Sequence, residues 1–119
     1  MISMTLPEPP SLNTYWKKYR NRMVLSEAGK AYKYTACLEG KRQKMQPLRG
    51  PIAVTVRWYR SRKAGDLDNR LKALFDALED VAFTNDNQVT EIHASRHDTD
   101  PKHPRVEISI SPLSAASTP

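Results

Sequence analysis

Ile52-Ala53-Val54-Thr55-Val56-Arg57-Trp58-Tyr59 is the stretch that decides the fold. Its large apolar side chains, Ile52, Val54, Val56 and Trp58, fall at every second position, the period of a strand with one buried face. Arg60, Arg62, Lys63 and Gly65 follow as a basic loop, and the period then changes. Leu67, Leu71, Leu74 and Leu78 recur at i, i+4, i+7 and i+11, which predicts a helix with those leucines on one face. A strand passing through a short loop into an amphipathic helix places the chain among α and β domains rather than all-helical or all-β ones.

Upstream, Ile2, Met4 and Leu6 alternate with Ser3 and Thr5 as a short strand, which Pro7, Pro9 and Pro10 end. Ser11 to Leu25 reads as an irregular arm rich in Lys, Arg and aromatic residues. Ser26 is the expected N-cap of a second helix reaching about Lys44, with a packing stripe of Ala28, Ala31, Tyr32, Thr35 and Leu38. Gly29 and Gly40 weaken that helix, and Pro47 and Gly50-Pro51 close it. Downstream, Val89 to Arg96 and Arg105 to Ile110 alternate as strands around a turn-rich loop, and are expected to form a hairpin. The expected fold is α+β: a small mixed β-sheet with two helices packed on it, in the order β-α-β-α-β-β. Residues 1–113 are expected to form one domain and residues 114–119 a flexible tail.

Charge is distributed unevenly. Residues 1–64 hold 14 Lys or Arg against three Asp or Glu, and residues 65–119 hold five against ten, within a chain of net charge +6. The change falls at the loop between the central strand and its helix. A solvated basic face is the ordinary meaning of such a first half; a phosphate-binding surface is the sharper one. Cys37 is the single cysteine, so no intrachain disulfide forms. No apolar run spans a bilayer and no secretory signal opens the chain, so a cytoplasmic protein without membrane contact is expected.

Asp66, Asp68 and Lys72 sit where the basic loop meets the helix, and Asp86 lies beyond its end. At about 100° per residue, Asp68, Lys72 and Asp76 form a charged ridge beside the leucines. Asp66 and Asp68 converge only if Asp66 precedes the helix, which Gly65 makes easy. The bland alternative is a helix cap at Asp66 and an ordinary i, i+4 ion pair between Asp68 and Lys72. Acids that work beside a polyanion need a cation between them and the phosphate. The set therefore points to a divalent ion, with oxygen donors suited to Mg²⁺ and Mn²⁺ as a substitute. Such an ion would polarise a phosphodiester oxygen and acidify water, while Lys72 would stabilise charge developing in the transition state. Asp86 could return to its own helix start or to that of a second copy; the sequence leaves both open.

The pattern of Pro9-Pro10-Ser11, Asn13 and Tyr15, then Ser26-Glu27 with Gly29, Ala31 and Tyr32, resembles the RusA family of Holliday junction resolvases. Asp66-Leu67-Asp68-Asn69 with Lys72, Phe75-Asp76-Ala77-Leu78 and Asp86-Asn87-Gln88-Val89 extend the resemblance from about Met4 to Leu113. The resemblance implies a homodimeric, bacterial or prophage-borne Mg²⁺-dependent endonuclease that cuts four-way DNA junctions in recombination and repair. It implies Asp66, Asp68 and Asp86 as metal-site carboxylates and Lys72 as catalytic, with no small-molecule cofactor. Many relatives carry two adjacent acids at the last site, where this chain has Asn85 and then Asp86. Paired incisions on a nearly two-fold junction suit a two-fold dimer.

Lys17, Lys18, Arg20, Arg22, Arg60, Arg62 and Lys63 are the expected nucleic-acid contacts, holding phosphates with little sequence readout. Tyr15, Trp16 and Tyr19, set among them, are candidates for stacking on unpaired bases or for packing over the sheet. His93, His97 and His103 match no zinc spacing, Glu39 reads as a surface residue and Trp58 as core. Two other readings compete with a junction-cutting enzyme: a non-catalytic nucleic-acid-binding module, and a metal-dependent nuclease acting on other branched or single-stranded DNA.

Overall fold

A computed structural model gives the structure, which describes residues 2–61, 67–97 and 99–113. In chain order the elements are β1 (Ile2–Pro7), α1 (Leu12–Tyr15), β2 (Trp16–Tyr19), β3 (Arg22–Leu25), α2 (Glu27–Arg42), β4 (Ile52–Tyr59), α3 (Leu67–Leu78), a 3-10 turn (Asp86–Gln88), β5 (Val89–His97) and β6 (Arg105–Pro112). The alternation along β4 buries what it predicts: Ile52, Val54, Val56 and Trp58 are sealed from solvent, together with Met4 and Leu6 of β1 and Val106, Ile108 and Ile110 of β6. The helices α2 and α3 pack over this apolar face. The opposite face carries Thr5, Thr55, Arg57, Glu107 and Ser109 and is polar, as an antiparallel layer open to water on one side must be. Among the described residues, no helix is long and apolar enough to cross a membrane.

The sheet runs β1-β6-β4-β5. Its β1–β6 and β6–β4 pairs are antiparallel and its β4–β5 pair is parallel, so the sheet is mixed. The expected β5–β6 hairpin is therefore wrong. A strand reached from β4 through a crossover helix lies parallel to it, and β5 does so at the sheet's edge. The more apolar β6 takes the buried place between β1 and β4. Edge position matches composition. Thr90, Glu91, Ile92, His93, Ser95 and Arg96 of β5 are exposed, and Ile92 retains 49% of its surface although it is in register with buried Val54.

Two further expectations need correction. Residues 11–25 are not an irregular arm: one helical turn leads into the β2–β3 hairpin, paired from Trp16↔Leu25 to Tyr19↔Arg22. The element order accordingly has an additional short helix and ribbon. The packing faces of both long helices are also rotated from those predicted. In α2 the buried line is Gly29, Tyr32, Ala36 and Gly40, while Ala28, Ala31 and Leu38 are exposed. The two glycines make the close approach possible. A Cβ on Gly29 would lie 2.3 Å from the Tyr15 carbonyl oxygen, and one on Gly40 would lie 2.7 Å from Val81 Cγ1. In α3 the sealed residues are Ala73, Leu74, Ala77 and Leu78, two small and two large side chains. Leu67, Leu71 and Phe75 are only partly buried, packed against the edge of the core.

Candidate active site

The site is built where β4 leaves the sheet and α3 begins, and Glu8 fastens the two. Its carboxylate accepts from Trp58 Nε1 at 2.9 Å, from the Ser61 amide at 2.9 Å and from Ser61 Oγ at 2.8 Å. Burial alone would raise the Glu8 pKa. The hydrogen bonds from Ser61 and Trp58, with the nearby Arg70 charge, outweigh it and hold the pKa below the usual carboxylate range. Arg70, in the first turn of α3, donates through Nη1 to the Pro9 carbonyl and lies 5.5 Å over the Trp58 ring. Glu8 and Pro9 thus hold both ends of the segment carrying Arg62, Lys63 and Asp66. Those three residues lie outside the described residues.

Asp68 and Lys72 project from α3 into solvent, and no ion pair joins them. The bland account of this pair, an ordinary helical salt bridge, is therefore not what the structure contains. Asp76, the third member of the ridge, differs. Its Oδ2 accepts the Tyr15 hydroxyl proton, and its backbone carbonyl accepts from Lys33 Nζ at 2.9 Å. Tyr15 is fully buried. Burial first, then the hydrogen bond and charge of Asp76, drive the Tyr15 pKa far above its ordinary value, so the phenol remains a donor at any physiological pH. Asp76 is a structural anchor.

Asp86 stands at the other end of α3. Its amide donates to Glu79 Oε1 at 3.1 Å, one residue past the helix, whereas Asp68 occupies the first turn. The eleven-residue rise from Asp68 to Glu79 is about 16 Å. The strand register agrees: Val89, just after Asp86, pairs with Ile52 at the start of β4, while the chain reaches α3 from the far end of that strand. Asp86 is presented by a well-fixed turn. Asn85 caps it, with its side chain accepting from the Asn87 amide at 2.9 Å, and Gln88 Nε2 donates to the carbonyls of Leu48 and Gly50. Asn85 is thus occupied in shaping the turn. Among the described residues, the carboxylates of Asp68 and Asp86 have no hydrogen-bond or ion-pair partner. Among the described residues, no three His, Cys, Asp or Glu side chains come close enough to share an ion.

The basic contacts predicted from sequence fall into two places. Lys17, Lys18, Arg20 and Arg22 form the exposed ribbon β2–β3. Arg60 follows β4 and donates through Nε to the His97 carbonyl at 3.2 Å. Trp58 is core, as expected. Glu39 is engaged within α2, held to a pKa of about 2 by hydrogen bonds from Arg42 and Gln43. His97 stacks on Tyr59, with ring centroids 4.9 Å apart. Sequence reasoning missed Glu8 and the Tyr15–Asp76 anchor. Glu8, the only acid before Glu27 in a strongly basic half, was the available signal.

The sequence profile described as Endodeoxyribonuclease RusA matches residues 7–111. A protein of Escherichia coli (strain K12) named Crossover junction endodeoxyribonuclease RusA is 32% identical over 114 residues, covering 93% of this chain and 94% of that one. The protein of the same name from Enterobacteria phage 82 is 32% identical over 113 residues, covering 92% and 93%. One from Escherichia coli O139:H28 is 35% identical over 89 residues, covering 73% and 74%. Matched across nearly its whole length, with the Asp68 to Asp86 segment inside the match, this chain belongs to the RusA endodeoxyribonuclease family.

Proposed function

We propose that the protein is a crossover junction endodeoxyribonuclease that hydrolyses phosphodiester bonds in four-way DNA, and that its active site forms only between two copies of the chain. The carrying observation is the pair of carboxylates, without partners among the described residues, that lie toward opposite ends of α3, Asp68 in its first turn and Asp86 beside Glu79 just past its end. Two exposed acids whose carboxylates have no partner among the described residues, on a chain of net positive charge, fit a hard-cation site, and their separation within one chain calls for a second chain to complete it. A two-fold axis beside the middle of α3 and β5 runs the partner's elements antiparallel. The C-terminal end of the partner's helix then lies beside the N-terminal end of this one. Asp66 and Asp68 of one copy meet the Asp86 of the other, twice per dimer.

The surface available for that contact is the β5 edge and the adjoining flank of α3. A nine-residue edge strand with Ile92 exposed near its centre invites pairing or cover. Leu67, Leu71 and Phe75 of α3 are partly buried and leave further apolar surface for such a contact. Two sites related by a two-fold axis suit paired incisions on opposing strands.

The donor set is three carboxylates, which suits Mg²⁺ or Mn²⁺ and not a soft metal. When bound, the ion supplies charge neutralisation at the scissile phosphate and acidifies water. The chain's own groups do the rest. Lys72, one helical turn from Asp68 and without a partner among the described residues, is placed to stabilise charge on the phosphate in the transition state. Arg60, Arg62, Lys63 and the basic ribbon hold the flanking backbone, so affinity is salt-dependent and nearly independent of sequence. The test is incubation of the purified chain with labelled four-way junction and linear duplex, with and without Mg²⁺. Symmetric, metal-dependent nicks on the junction alone are expected. Binding without nicks under all conditions would leave only a DNA-binding module, and equal cutting of flaps or single strands would leave a broader nuclease.

A further inference from the structure

We infer that the β2–β3 hairpin is a two-sided pin that enters the branch point of the DNA and reads its unpaired centre. The inference rests on the junction-cutting reading above and adds the element that recognises the branch. Strand alternation divides the ribbon into two faces. Lys17, Tyr19, Arg22 and Val24 lie on one, and Trp16, Lys18, Met23 and Leu25 on the other. Near the tip each face exposes one large apolar side chain, Tyr19 at 50% and Met23 at 59%. The pairs Tyr19↔Arg22 and Lys18↔Met23 set a cation directly across from each, and the Arg20 guanidinium lies 5.5 Å over the Tyr19 ring.

The occupant follows from charge. Among the described residues, Lys17, Lys18, Arg20 and Arg22 make no ion pair, and no acid occurs in the sequence between Glu8 and Glu27. Three such cations on a ribbon of eight paired residues and a fourth, Arg20, in its turn attract a polyanion and repel a second copy of the same ribbon. Aromatic and apolar side chains interleaved with those cations are the composition that stacks on bases while holding backbone phosphates.

The root of the pin is rigid although its tip is free. The Tyr15 carbonyl accepts from the Ser26 amide at 2.9 Å and from Ser26 Oγ at 3.0 Å, and the Tyr15 hydroxyl is bound to Asp76. Trp16 packs edge-on to Tyr15, 5.5 Å between ring centroids. A two-stranded ribbon standing alone is marginal in water; this one is fixed at its base to α3 one helical turn from Lys72. The tip therefore stands about 13 Å from that root along its strands and is held in fixed relation to the proposed catalytic residues. A duplex, with its bases stacked, offers Tyr19 and Met23 nothing to enter. A branch point does.

The test uses the full-length chain and two DNAs, a four-way junction and a linear duplex, each with 2-aminopurine placed at the centre. Cleavage is suppressed by leaving Mg²⁺ out. The unaltered protein should change the fluorescence of the junction probe only. Tyr19→Ala with Met23→Ala should abolish that change and reduce the junction-over-duplex preference about tenfold, with duplex affinity unaltered; Tyr19→Phe should restore both. Undiminished discrimination and an unchanged fluorescence response in the double variant would overturn the pin. So would a loss of dimer mass in sedimentation, because the ribbon would then be a subunit contact. If the unaltered chain fails to bind any junction, the enzyme reading fails first and takes the pin with it, an outcome distinct from binding without discrimination by the tip.

Discussion

Asp68 and Asp76 stand on the same helix two turns apart, and the protein treats them oppositely. Asp76 is tied to a buried tyrosine and through its carbonyl to Lys33; the Asp68 carboxylate has no partner among the described residues. A carboxylate that a fold needs is hydrogen-bonded. One that the fold ignores, set one helical turn from a lysine with no partner among the described residues, is kept for something outside the chain. The contrast repeats beyond the helix end, where Glu79 accepts the Asp86 amide while the Asp86 side chain has no partner among the described residues.

The comparison can be broken most sharply at Asp68. Asp68→Ala should lower junction cleavage by more than the roughly 100-fold that loss of a metal ligand's supporting group costs, with junction binding retained and the melting temperature unchanged. A melting temperature that falls with activity would make Asp68 structural. Lys72→Met should reduce kcat by about 100-fold and leave the metal concentration needed for half activity where it was; a shift in that concentration would put Lys72 in the metal site instead. Asp76→Ala should do the reverse of Asp68→Ala. It strands the buried Tyr15 hydroxyl and should cost about 1–3 kcal/mol of stability, with the remaining folded protein still cutting. Unchanged denaturant midpoints would remove the anchor.

Glu8→Gln is the gentlest probe. The folded-state pKa of Glu8 lies below its unfolded value, so its contribution to stability is full above the unfolded pKa and fades as pH falls through the folded one. The variant should flatten the acid limb of the stability profile. It should also lower kcat more than it raises KM, because Ser61 and Arg70 frame the loop bearing Asp66. An acid limb that keeps its slope would show that another group sets it.

Much of this was legible in the sequence where one period dominates. Strand β4 is as predicted because four of its side chains share one buried face, and α3 exists because its leucines recur at helical spacing. The exact buried faces were not legible, because they depend on where neighbours approach. Gly29 and Gly40 look like weak points in a helix until Tyr15 and Val81 are seen against them. The hairpin was hidden because both its faces are exposed near the tip, which erases alternation. The place of β6 between β1 and β4 is a matter of topology, decided by which strand is apolar enough to be central. Asp68, Lys72 and Asp86 stood out by residue type, yet nothing in the spacing told that Asp86 faces away from Asp68 in its own chain.

That separation carries the account, and mixing two inactive variants tests it directly. Asp68→Asn and Asp86→Asn chains, each purified and each unable to nick a junction, are unfolded together and refolded in equal amounts. If the site is shared, every mixed dimer regains one intact site, with Asp68 from one chain and Asp86 from the other, and single-strand nicking of the four-way junction returns. A mixture as inactive as its parents, in a sample shown to contain mixed dimers, would contradict the shared site.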